Sequence, residues 1–179
     1  NDCFKLHRQI VTNHFSDIIM SMVEIHNSVA KVYEENKETL EIFECLDEFS
    51  DTQNFCDHYG FDIEDSCNAI LIKAKKPEEF YAMFCVLGAN RLDVNHKAKE
   101  AMGAKRVSFA SREEAETVTG QIYGGISPLG LPENIKVYMD KNVTDREKLF
   151  IGAGNRVSKF FLSPETLIDL SSAKVLDLT

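Results

Sequence analysis

Two glycine-bearing stretches hold the residue types that can bind an anion through backbone groups. Gly120 to Pro132 reads G-Q-I-Y-G-G-I-S-P-L-G-L-P and takes four of the chain's nine glycines and two of its four prolines. Gly152 to Asn155 reads G-A-G-N. Glycine admits positive φ and lets a ligand approach the backbone, and proline fixes φ. Neither run can continue as a helix interior or a plain strand. If the two turns converge, their N–H groups can hold a carboxylate or an oxyanion. Tyr123, Ser127, Asn155, Ser158 and Lys159 are the polar side chains nearest to them in sequence. Read alone, each turn is equally explained as a structural connector, and on pattern that is the simpler explanation.

Other chemistries find no support. There is no Walker-type loop and no G-x-S-x-G elbow. Gly152-Ala153-Gly154 continues N-R-V-S, which is not a dinucleotide fingerprint. The five histidines show no ligand spacing, so no metal and no cofactor is expected. The five cysteines are odd in number and contain no C-x-x-C pair. They predict reduced thiols and a cytoplasmic setting.

The elements that must position these turns can be read from periodicity. Residues 13–37 carry Phe15, Ile18, Ile19, Met22, Ile25, Val29, Val32 and Tyr33 at helical spacing. A strand is predicted over 39–45, a helix over 51–59 ended by Gly60, and a hairpin from strands 67–74 and 80–87. A helix follows over 93–102, then a strand at 106–109. Ser111 and Glu114 form a capping box for a helix that stops at Gly120. Strands at 135–139, 149–151 and 159–162 precede a helix started by Ser163-Pro164, and 173–178 is a closing strand. The class is α+β: a mixed, largely antiparallel sheet or barrel flanked by helices. One domain over 1–179 is expected, with 1–38 a helical extension packed on it. No apolar run approaches the roughly 20 residues that span a bilayer, so no membrane partner is expected.

Net charge is −9, but it is unevenly spread. Residues 34–65 hold twelve acids against one base, Lys37, which leaves the remainder slightly positive. Local basic runs at Lys73, Lys75 and Lys76 and at Lys105 and Arg106 allow a small phosphate-contacting face, without an extended duplex footprint.

The second half of the chain resembles the YbaK / prolyl-tRNA-synthetase-associated domain, a family of trans-editing aminoacyl-tRNA deacylases. The matching pieces are R-L-D at 91–93, G-A-K-R-V at 103–107, A-S-R-E-E at 110–114 and G-G-I-S-P-L-G-L-P at 124–132. T-G at 119–120, V-Y-M-D at 137–140, I-G-A-G-N-R at 151–156, L-S-P-E-T-L at 162–167 and A-K-V-L-D-L at 173–178 complete the set, in family order and spacing. The family's G-x-x-x-P substrate loop maps onto Gly124 to Pro128. The resemblance implies hydrolysis of the ester joining a wrong amino acid to the 3′-terminal ribose of a tRNA, without a metal. It implies an aminoacylated tRNA 3′ end as partner, with an aminoacyl-tRNA synthetase as a further one.

On that resemblance, Gly124, Gly125, Ile126 and Pro128 contact the aminoacyl group, and Gly152, Gly154, Asn155 and Ser158 line the opposite wall. Ser127 and Lys159 are polar candidates, and Arg91, Lys105 and Arg106 are candidates for phosphate contacts. There is one departure. The family places a lysine where this chain has Asn68, and Asn carries no charge to offset a developing oxyanion. Lys73 lies an odd number of residues away and faces the other side of the strand. Lys159 or Arg156 can supply the cation from another strand. The alternative is a catalytically altered domain that binds an aminoacyl-tRNA-like ligand or a protein partner, using 1–38 and the acidic segment as its surface. An unrelated small-molecule hydrolase is the third option.

Overall fold

The computed structural model describes residues 23–179. The part of the first expected helix over 13–22 lies outside them. Within them, α1 spans Asn27–Glu35, and His26 caps it by accepting from the Ser28 N–H. Residues 23–26 are not helical. The carbonyl of Glu24 is instead taken by the side chains of Asn155 and Ser158, which draws this segment away from a helical path. β1 follows over Glu41–Glu44, then α2 over Thr52–Tyr59, which ends at Gly60 with φ of 74°.

The hairpin is β2 (Cys67–Lys76) and β3 (Phe80–Leu87). The expected helix at 93–102 opens as a wide π-type turn over Val94–Ala98, with α3 reduced to Lys99–Ala101. β4 covers Arg106–Phe109, and α4 covers Arg112–Thr119 with both bonds of the Ser111/Glu114 capping box formed. β5 (Lys136–Asp140), β6 (Leu149–Gly152), β7 (Ser158–Leu162), α5 (Pro164–Ser171) and β8 (Lys174–Leu176) complete the order.

These strands form two open sheets, not a barrel. One has the order β1-β7-β6 and is antiparallel throughout. The other has the order β4-β2-β3-β5-β8, antiparallel across β4, β2 and β3 and parallel across β3, β5 and β8. A single parallel bridge, Ser66 to Phe150, joins them. β4 pairs with β2 only from Ile72 onward, so the Cys67–Leu71 half of β2 has an open edge beside β6. That edge is where the cleft described below opens.

Period-two alternation sets the burial. Cys67 and Leu71 of β2 face the main core with Met83, Cys85, Phe160 and Val29 of α1. Ile72 and Ala74 face a second core closed by Ala98, Met102 and Leu178. A third, aromatic cluster holds Phe55, Phe61, Phe150 and Phe161, with Phe43 and Tyr59 against them. Among the described residues, no helix is long and apolar enough to cross a membrane.

Lys73 is committed to structure. Its ammonium bonds Glu114 at 2.7 Å and Glu79 at 2.9 Å, so it ties β2 to the start of α4. That hydrogen bond, with those from Ser111, lowers the Glu114 pKa from 4.5 to about 2. A carboxylate whose folded pKa is depressed adds stability that is complete above its unfolded pKa and is lost as pH falls through the folded one. In thermal unfolding from pH 7 to 2, the gap between wild type and Glu114→Gln should be full at pH 7, begin to close below about pH 4.5, and vanish near pH 2. A gap independent of pH would remove this ion pair from the account.

Candidate active site

The two glycine turns are bound to each other. The Ile122 N–H donates to the Gly154 carbonyl at 2.9 Å, and the Gly154 N–H donates to the Gly125 carbonyl at 2.8 Å. No side chain fits between them. A Cβ on Gly125 would lie 1.7 Å from the Asn155 carbonyl oxygen, and one on Gly152 would lie 2.4 Å from that of Gly125. Because β6 and β7 pair Gly152 with Lys159, this contact also fixes Lys159 across from the loop.

The result is a cleft of about 460 Å³. Gly124, Gly125 and Ile126 form one wall, and Gly152 and Lys159 another. The open edge of β2, from Cys67 to Leu71, is the third, with Asp51 and Thr52 at the start of α2 closing one end. Phe109 and Tyr123 stand at its mouth. A second hollow of about 590 Å³ between α1, β1 and Lys148 contains none of the candidate catalytic or substrate-binding residues named from the sequence.

Asn68 uses its amide asymmetrically. Its Oδ1 accepts from the Thr52 hydroxyl at 2.9 Å and from the Ser66 hydroxyl at 3.1 Å. With both hydroxyls on the oxygen, Nδ2 remains as a donor. Lys159 is 6% exposed and lies over the Phe55 ring at 5.6 Å. Its ammonium donates to the Ser50 carbonyl at 2.7 Å and, among the described residues, forms no ion pair. Burial lowers its pKa from the ordinary 10.5. Arg156, the other cation weighed for this role, is not among the residues lining the cleft; its guanidinium lies behind Gly124 and pairs with Asp47 and Asp51.

Against known proteins, the profile of the aminoacyl-tRNA editing domain matches residues 47–170. The chain belongs to the aminoacyl-tRNA editing domain family. This editing domain is 29% identical over 92 residues to EbsC of Enterococcus faecalis, a candidate Cys-tRNA(Pro)/Cys-tRNA(Cys) deacylase by name. That match takes 51% of this chain and 56% of EbsC. A proline–tRNA ligase of Streptococcus pneumoniae is 40% identical over 57 residues, which cover 32% of this chain and 9% of the ligase. The chain thus spans little more than half of the first relative and a small part of the second. In fold, it matches the crystal structure of a candidate trans-editing enzyme for prolyl-tRNA synthetase with a TM-score of 0.73 at 22% identity, covering 87% of this chain and 99% of the other.

Several residues singled out in the sequence of the editing domain sit behind the cleft wall instead of on it. Ser127 is fully buried, and its hydroxyl and N–H are spent on Leu129 and Gln121. Pro128 is buried beside it. Asn155 and Ser158 bond each other at 2.7 Å and both reach the Glu24 carbonyl. Gly154, with φ of 87°, packs on His26. Gly125 lines the cleft, but its N–H is committed to Ile122 at 3.0 Å. Lys105 and Arg106 lie at the far end of β4, and Arg91 is not among the residues lining the cleft.

Thr52, Cys67 and Phe109 were missed. Thr52 sits in the first turn of a helix and Phe109 ends a strand, and neither position signals chemistry in a single sequence. Cys67 is no nucleophile. The hydrogen bond its S–H donates to Cys85, together with burial, holds its thiol well above the usual range. Among the described residues, no three His, Cys, Asp or Glu side chains converge to hold a metal.

The glycine interlock is open to test by substitution. Gly125→Ala should cost about 2 kcal/mol or more, since backbone has to give way. Gly103→Ala, at φ of 60° with nothing within 4 Å of its Cβ, should cost only about 1 kcal/mol. Urea unfolding measures both, and equal losses would mean that the two turns are not mutually constrained.

Proposed function

We propose that this chain hydrolyses the ester between an amino acid and the 3′-terminal ribose of a mischarged tRNA, acting in trans. The reaction adds water across one C–O bond: the hydroxyl goes to the carbonyl carbon and the proton to the departing ribose oxygen. The barrier lies at the tetrahedral oxyanion, so donors aimed at that oxygen count most. The carrying observation is that Asn68 and Lys159 reach the same cleft from different sheets. Asn68 Nδ2 offers a neutral hydrogen bond, and Lys159 offers the charge that Asn68 lacks. The N–H groups of Gly124 and Ile126, which bond no described residue, are further donors for the aminoacyl group. The tRNA is the partner, and the ligase relative makes prolyl-tRNA synthetase the first synthetase to test for association.

Desolvating a lysine costs stability, and among the described residues this one has no carboxylate within ion-pair distance in return. A residue kept at such a cost without an ion pair is well placed to meet negative charge that arises on the substrate. Removing it should therefore harm activity more than stability.

A panel of aminoacyl-tRNAs should show ester loss above buffer for at least one member, with Cys-tRNA(Pro) and Cys-tRNA(Cys) tried first. No loss for any amino acid would end the hydrolytic reading. On the best substrate, Lys159→Met should lower kcat by about 10²–10³-fold with no fall in Tm. If the ammonium form acts, the enzyme-dependent rate should fall as pH rises through the depressed Lys159 pKa, below 10.5. Lys159→Arg should move that fall to higher pH. A Lys159→Met rate equal to wild type would exclude this role.

A further inference from the structure

We propose that Phe109 and Tyr123 form the stacking platform for the terminal nucleobase of the tRNA, an assignment that rests on the editing reading of the adjoining cleft. Phe109 is 60% exposed and Tyr123 48% exposed. Both line the cleft mouth, outside the Gly124–Ile126 wall and the β2 edge. Large apolar rings held in water at the entrance to a polar cleft are not explained by packing, since among the described residues neither stacks on another ring. They are held in place nonetheless. Phe109 closes the β4 ladder opposite Ile72. The Tyr123 N–H donates to Glu116 at 3.1 Å, and the Arg112 guanidinium lies over its ring at 5.9 Å.

The ligand class follows from what such a surface recognises. Single-stranded nucleic acid ends are bound by stacking bases on aromatic faces beside cations that follow the backbone. β4 supplies both. Phe109 is at its cleft end, Arg106 begins it at the other end with Lys76 paired alongside, and Lys105 directly precedes it. That is about 10 Å along the strand at roughly 3.3 Å per residue. All three cations are exposed and, among the described residues, form no ion pair. With an aminoacyl group in the cleft and its base on the two rings, the preceding phosphates run toward Lys105, an even four residues from Phe109, while Arg106 alternates to the other face of β4.

The test uses an RNA minihelix with a single-stranded 3′ end in two forms, one ending in adenosine and one in an abasic ribose. Fluorescence anisotropy with the full chain should show the abasic form binding about tenfold more weakly to wild type. Phe109→Ala/Tyr123→Ala should weaken the adenosine form by a similar factor and bring the ratio between the two RNAs close to one. Phe109→Trp in place of the alanine should restore the ratio. A wild-type ratio near one overturns the platform without relying on any variant, and so does a double variant that keeps the full ratio. The two readings fail separately. Ester hydrolysis with a ratio of one removes the platform alone, and a tenfold ratio without hydrolysis removes the editing reading alone.

Discussion

The close approach of Gly125 to Asn155, sealed by the backbone bonds among Ile122, Gly125 and Gly154, is the constraint from which the rest follows. It allows no side chain at the contact, so two turns far apart in sequence become one rigid wall. Other elements are arranged to brace it. α1 is pressed in until the Ser28 carbonyl would lie 2.1 Å from a Cβ on Gly130. Asn155 and Ser158 hold the Glu24 carbonyl, and Arg156 ties the wall to the acidic segment through Asp47 and Asp51. Part of the acidic charge that reads as a partner surface in the sequence is thus paired within the chain while staying exposed, with Arg146 and Lys148 taking further acids from the same segment.

A cleft fixed this way can hold a charge that would otherwise be unfavourable. β7 is buried along its whole length, and Lys159 is its one charged residue. The ammonium sits against Phe55 with a single carbonyl at 2.7 Å. Low polarity weakens its hold on the proton but strengthens its attraction to any anion that forms nearby. Asn68 is anchored by two hydroxyls and can be aimed without moving. On the proposed reading, the pair divides between two sheets the role that the resemblance gives to a single lysine on β2.

Element boundaries were legible wherever local chemistry decided them. The capping box at Ser111, the stop at Gly60 and the Ser163-Pro164 helix start all depend on residues within one turn. The parallel pairing of β5 with β3 and β8 was not legible, because it depends on contacts between distant segments. The start of α1 was misjudged because its apolar spacing continues upstream, while a tertiary bond to Glu24 decides otherwise. Glycine content pointed to the stretches that line the cleft, through Gly124, Gly125 and Gly152. Sequence proximity could not separate Lys159, which faces the cleft, from Ser158, which faces away one residue earlier. Strand alternation governs that difference, and its phase is set only once β7 pairs with Gly152 on one side and Phe43 on the other.

The central claim is that the cation of the site has been relocated from β2 to β7. Returning it is the most direct test. On the best substrate of the panel, the deacylation rate of Lys159→Met should recover at least about tenfold when Asn68→Lys is added, as expected if a charge-stabilising donor is restored. Recovery would show that the two positions serve one oxyanion. A double variant no faster than Lys159→Met alone, with its fold intact by thermal unfolding, would contradict the account.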